Sequence, residues 1–100
     1  MPLTRDFKIT VVERLKREPE LAKAMYDEAV ELLQSGEPDV SREILRTLVN
    51  ATVGFDELAR KTSGDKHSLH RMLSARGNPG MRNLSAILRV LRAEVQAQVS

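Results

Sequence analysis

FDELARKTSGDKHSLHRML, residues 55–73, is the stretch from which the rest of the chain can be read. It divides into two short helical segments. The first carries Leu58 and Ala59, and the small Ala59 lets another helix cross close over it. The second carries Leu69 and Met72 as its apolar back. Between them, Ser63-Gly64-Asp65 supplies a tight polar turn, and Asp65 supplies an N-cap for the second segment.

A helix that reads nucleic acid must bury an apolar stripe, expose short or forked polar side chains from its N-terminal half, and have its ends held to phosphates. Leu69, Met72 and Leu73 meet the first need. Lys66, His67, Ser68, His70 and Arg71 meet the second, and the i, i+3, i+4 spacing of His67, His70 and Arg71 places them on one face. Arg71 has the fork that a bidentate contact to guanine requires, and Lys66 is placed for phosphate. Arg76, Asn78 and the backbone amides around Gly77 are placed to clamp the next phosphates. The pattern is that of a DNA-binding helix-turn-helix, whose second helix enters the major groove. The bland alternative is that these residues only solvate a helix face.

Charge distribution favours the first reading. Net charge is only +2, but residues 1–59 hold eight Lys/Arg against twelve Asp/Glu, a net of −4, while residues 60–100 hold eight against two, a net of +6. A basic half that contains the motif is the footprint of a phosphate-binding surface.

Working outward, the sequence predicts an all-α chain. Thr4 caps a first helix, with Asp6 in its first turn and Phe7, Val11 and Leu15 in one stripe. This helix ends near Arg17, because Pro19 disfavours helical geometry at Glu18. Pro19 opens a second helix whose apolar face carries Leu21, Ala22, Met25, Ala29, Leu32 and Leu33, and whose other side is acidic. Ser35-Gly36 stops it, reinforced by Pro38. Asp39 or Ser41 caps a third helix with Val40, Ile44, Leu45, Leu48 and Val49 inward. Gly54 N-caps the fourth helix, which runs to about Lys61. The fifth runs from Asp65 to about Ser74, and a turn-rich loop follows at residues 76–80. A sixth helix carries Leu84, Ile87, Leu88, Leu91 and Val95, with a fraying tail from Gln96. One hundred residues suit one domain, with residues 1–38 as a helical N-terminal extension and residues 39–97 as the DNA-binding unit.

Other chemistries find little support. With no cysteine there is no disulfide, thiolate metal site or cysteine nucleophile. His67 and His70 are two potential metal ligands with nothing to complete the set, so no metal or cofactor is expected. No nucleophile stands beside a base, and no enzyme is expected. Met25, Met72 and Met81 read as core gap-fillers. Neither a leader-like apolar run nor a membrane-length stretch occurs, which points to a cytoplasmic protein without membrane contact.

From Arg42 to about Glu94 the chain resembles the lambda-repressor-like helix-turn-helix domain, through ELA at residues 57–59, Leu69-His70-Arg71-Met72 and Asn78-Pro79. More closely, the whole chain resembles bacterial addiction-module antidote proteins of the HigA type, through TRDFKITV (4–11), REPEL (17–21), NATVGFDELA (50–59) and SLHRMLSARGNPGMRNL (68–84). The resemblance implies an antitoxin that represses its own operon by binding operator DNA, and that binds an mRNA-cleaving toxin related to HigB. It implies a homodimer on a palindromic duplex, with Lys66, His67, Ser68 and Arg71 toward DNA and Arg76 and Asn78 nearby. The chain departs from the larger family at Phe55, where that family often has Gln. It departs again at Ser63, where the turn glycine usually falls, Gly64 coming one place later. A competing reading from another class is a protein-interaction module on the same scaffold without DNA binding, favoured by Phe55 and the acidic N-terminal half.

Overall fold

Two prolines punctuate the first half of the chain in the same way. In the computed structural model, which describes residues 5–100 and their side chains from Thr10 onward, α1 spans Arg5–Arg17 and α2 spans Pro19–Gln34. Glu18 between them sits at φ −121°, ψ 82°, outside helical geometry, because the ring of Pro19 crowds it. The Thr4 cap and the side chains of Asp6 and Phe7 lie outside the described residues.

Pro38 repeats the device. The sequence assigned it to stopping α2 and gave the cap of the next helix to Asp39 or Ser41. Instead, α3 begins at Pro38 and runs to Ala51, with Glu37 as an N-cap that makes no side-chain bond. A proline needs no N–H partner and arrives with helical φ, so the helix opens on it. The stop of α2 is made by backbone alone. Gly36 takes φ 81°, its amide reaches Leu33 O at 3.3 Å, and the Glu37 amide reaches Leu32 O at 2.8 Å. This is the paired closure that a left-handed glycine after a helix permits.

The earlier start of α3 redistributes its first turn. Val40, expected inward, is 47% exposed. Ser41, expected at most to cap, is fully buried, and its Oγ donates to Ala29 O at 2.7 Å. Ser41, Leu45, Leu48 and Val49 then form the inner face at the spacing of one helical stripe.

The remaining helices are α4 (Gly54–Thr62), α5 (Lys66–Met72) and α6 (Met81–Val99), and no strand occurs among the described residues. Gly54 is not the N-cap of α4. Val53 holds that position, and Gly54 at φ 78° makes the left-handed bend between α3 and α4. The tail expected to fray stays helical to Val99, with Ser100 Oγ donating to Gln96 O at 2.8 Å.

All six helices pack around one core. Leu15 comes from α1, Ala22, Tyr26 and Ala29 from α2, Leu58 from α4, and Ile87, Leu91 and Val95 from α6. The second helix lies against both α3 and α6, α1 against α2 and α3, and α4 against α3, α5 and α6. The Tyr26 hydroxyl donates to Leu88 O at 3.1 Å, which ties α2 to α6. Met25 and Met72 pack against the core as expected, but Met81 is 90% exposed. Side chains lean toward a helix's N-terminus, so the first residue of α6 projects past the end of the bundle. No helix among the described residues is long and apolar enough to cross a membrane.

The turn between α4 and α5 carries strain at one residue. Ser63 occupies the left-handed region at φ 54°, ψ 30°, and the Gly64 amide returns to Ala59 O at 3.0 Å. The left-handed position therefore falls on Ser63, and the neighbouring glycine does not relieve it. Ser63→Gly should raise stability by about 1 kcal/mol in urea unfolding followed by circular dichroism. A variant no more stable than the parent would show that the serine fits that conformation without strain.

Candidate nucleic-acid interface

The interface begins at the cap of α5. Asp65 is extended (φ −99°, ψ 128°), and its Oδ2 accepts the Ser68 amide at 2.9 Å. That bond satisfies an amide that the first turn would otherwise leave without a partner. It also holds the Asp65 carboxyl below its ordinary value: the Ser68 backbone bond is the main cause, the Ser68 side-chain bond the next, and the nearby His67 and Arg71 add smaller effects.

On the back of α5, Leu69 and the following Leu73 are buried and Met72 is half-buried. On the front, Lys66, His67, His70 and Arg71 are exposed and Ser68 is half-buried. The structure divides the front face, which the sequence reading treated as one. The His70 ring stacks on Phe55, centroids 4.0 Å apart and planes 25° from parallel. Lys66 Nζ pairs with Asp56 Oδ1 at 3.0 Å. Lys66 and His70, four residues apart, form the stripe that meets the start of α4. His67 and Arg71, also four apart, form the next stripe around. Arg71 Nη2 donates to Ser68 Oγ at 3.2 Å, which steadies the guanidinium without neutralising it. His70 therefore does not share a free face with His67 and Arg71, because its ring has an aromatic partner on the neighbouring helix.

Phe55 has a structural account. It is 6% exposed and forms part of the core beneath His70. A polar reader cannot occupy that place while the side chain fills the gap between α4 and α5.

Residues 73–80 continue from α5. The Gly77 amide donates to Ser74 O at 2.9 Å, so it does not face outward as expected for a phosphate clamp. A Cβ on Gly77 would run into the carbonyl oxygens of Arg71 and Met72, so the loop lies against the end of α5 in a way only glycine allows. Arg76 and Asn78 on either side are exposed.

Sequence reasoning missed the residue that fastens this loop. Arg42 of α3 donates from Nη2 to Ala75 O at 2.7 Å and from Nη1 to Gly77 O at 2.9 Å. The same Nη1 pairs with Asp39 Oδ1 at 2.9 Å, and the Arg42 side chain is only 14% exposed. The one sign of this in the sequence is the i, i+3 spacing of Asp39 and Arg42, which by itself describes an ordinary surface pair.

The positive surface is smaller than the sequence count suggests. Arg60 pairs with Glu57, Lys61 with Glu94 at 3.5 Å, and Lys66 with Asp56. Arg71, Arg76 and Arg82 are exposed and lie within ion-pair distance of no carboxylate among the described residues. Among those residues no three His, Asp or Glu could hold a metal ion. A cleft of about 350 Å³ beneath the loop, between Leu33, Leu45, Leu73 and Leu84, carries Asp39 already paired with Arg42, and no nucleophile beside a base.

Comparison with protein-family models, curated proteins and solved structures returns no match.

The cap makes α5 sensitive to acid. Because the folded Asp65 carboxyl lies below its ordinary value of 3.8, its stabilising effect is complete above that pH and disappears as pH falls through the folded value. Asp65→Asn keeps an amide acceptor for Ser68 but removes the titration. Urea unfolding over a pH series should show a smaller acid loss in Asp65→Asn than in the parent, and lower stability at neutral pH only in Asp65→Ala. An identical acid dependence in all three would remove Asp65 as its source.

Proposed function

We propose that this protein binds double-stranded DNA as a helix-turn-helix transcriptional regulator of the lambda-repressor-like class, with α4 and α5 as the motif and α5 in the major groove. The observation that carries the proposal is the His67–Arg71 stripe. It is exposed, its arginine has no carboxylate partner among the described residues, the helix that bears it is buried along its back, and the exposed Arg76 and Asn78 follow in the next loop. Arg71 would read a guanine edge, with His67 and Ser68 beside it. Arg76 and Asn78 would hold phosphate, and Lys66 would do so from a position already paired with Asp56.

The particular regulator proposed is a HigA-type antitoxin, on the strength of the sequence resemblance. It would repress its own operon and neutralise a HigB-like toxin in the bacterial cytoplasm. The exposed carboxylates Glu20, Glu28 and Glu31 of α2 offer a surface for a basic partner. It would bind its palindrome as a homodimer, since one small module buries little DNA surface. The dimer seam would fall on α2 or on α6, whose core-facing stripes meet within the bundle and leave their outer faces for a partner. Phe55, which favoured a protein-interaction module without DNA binding, lies in the core and offers no docking surface.

Fluorescence anisotropy with duplex DNA tests the DNA reading. Affinity should be clear at low salt and fall steeply as salt rises, because phosphate neutralisation releases counterions. No binding at low salt overturns it. On the operator, Arg71→Ala should weaken binding by about 1–3 kcal/mol and relax preference at one base position. Unchanged operator affinity would remove Arg71 from readout.

The antitoxin reading has its own test in the adjacent open reading frame. That frame should encode a small basic protein that arrests growth when expressed alone and is harmless when co-expressed with this chain. A harmless neighbour would leave a solitary regulator.

A further inference from the structure

We infer that Arg42 is a positioning residue for DNA contact: its guanidinium holds the loop that presents Arg76 and Asn78, so phosphate contact by that loop depends on an inward-facing side chain of α3. The inference rests on the DNA-binding reading above.

Arg42 grips two particular peptides of the loop. Ala75 O belongs to the peptide that precedes Arg76, and Gly77 O to the peptide that precedes Asn78. One planar guanidinium donates to both, from Nη2 at 2.7 Å and Nη1 at 2.9 Å. The two residues placed to meet phosphate are therefore each attached to a peptide unit held by the same group. Nη1 also donates to Asp39 Oδ1 at 2.9 Å, a third bond that holds the guanidinium in place.

The loop has little freedom to compensate. Its Gly77 lies against the Arg71 and Met72 carbonyls with no room for a Cβ, and its amide is engaged by Ser74 O. Without Arg42, those contacts hold the base of the loop but neither of the gripped carbonyls.

Arg42 is unsuited to binding phosphate itself. Its side chain is 14% exposed, and both terminal nitrogens already donate within the protein. What matters is the fork rather than the charge. A lysine ammonium is a compact point donor and cannot span two carbonyls and a carboxylate in one plane.

The test is a double-mutant cycle read as the salt dependence of DNA binding. It uses the full chain and duplex DNA, with circular dichroism and thermal unfolding confirming that each variant is folded at the assay temperature. Arg76→Ala should make the slope of log affinity against log salt shallower by about 1. Arg42→Lys, which keeps the charge, should produce a similar change, and Arg42→Lys combined with Arg76→Ala should be no shallower than either alone. Arg42→Gln serves as a second variant and should behave like Arg42→Lys. If Arg42→Lys keeps the parental slope, or if the two changes add, Arg42 only supports the fold and the inference is overturned. If the parent protein shows no salt-dependent binding, the DNA reading fails first and takes the inference with it.

Discussion

Ser41 lies against Ala29, and the arrangement of the bundle follows from that contact. The hydroxyl meets a main-chain carbonyl at 2.7 Å with neither residue exposed to solvent. Only small side chains let two helices approach so closely, and α2 supplies Ala22 and Ala29 on that side. The bond also fixes the rotation of α3 about its axis. With Ser41 inward, Leu45, Leu48 and Val49 follow into the core. Arg42 is one residue further on, about 100° around the helix, and this turns it toward the loop after α5. A branched side chain at position 41 would push α3 outward and carry the guanidinium away from the carbonyls it holds.

Much of the fold could be read from local chemistry. Pro19 ended α1 where expected, Ser35-Gly36 closed α2, Asp65 capped α5, and in α6 Ile87, Leu91 and Val95 are buried as their spacing implied, with Leu84 and Leu88 half-buried and Val90 buried without having been expected. Each of these depends on residues within one or two turns of one another. Pro38 was misread because a proline after a glycine stop equally suits the end of one helix or the start of the next, and only tertiary packing chooses. That choice moved Val40 out and Ser41 in. At the candidate site, the exposure of Lys66, His67, Arg71, Arg76 and Asn78 was legible, as was the buried back of α5. The Phe55–His70 stack and the reach of Arg42 to Gly77 were not. They join positions 15 and 35 residues apart, and no periodicity within a helix encodes such a meeting.

The α4–α5 pair is fastened along one edge only. Phe55 and Asp56 at the start of α4 hold His70 and Lys66 by ring stacking and by charge. The opposite edge of α5, with His67 and Arg71, is left uncovered. A helix of seven residues is too short to be stable by itself, so these lateral ties, the Asp65 cap and the burial of Leu69 are what keep it formed. The same ties lessen its charge. Three of the eight cations in residues 60–100 pair with carboxylates; of the five that do not, Arg71, Arg76 and Arg82 lie on or just after α5 and at the start of α6, and Arg89 and Arg92 lie further along α6. A net charge taken from sequence overstates the field that a phosphate backbone would meet.

Tyr26 gives the bundle an optical marker of its own. The chain has one tyrosine and no tryptophan, so its near-ultraviolet signal comes almost wholly from the residue whose hydroxyl joins α2 to the Leu88 carbonyl of α6. Burial pushes that phenol above its ordinary value, opposed in part by the nearby Arg92 and aided by Asp27. Phenolate absorbance in alkali therefore lags that of free tyrosine for as long as α2 and α6 stay docked. A spectrophotometric base titration thus reports on the seam between these two helices without any added label.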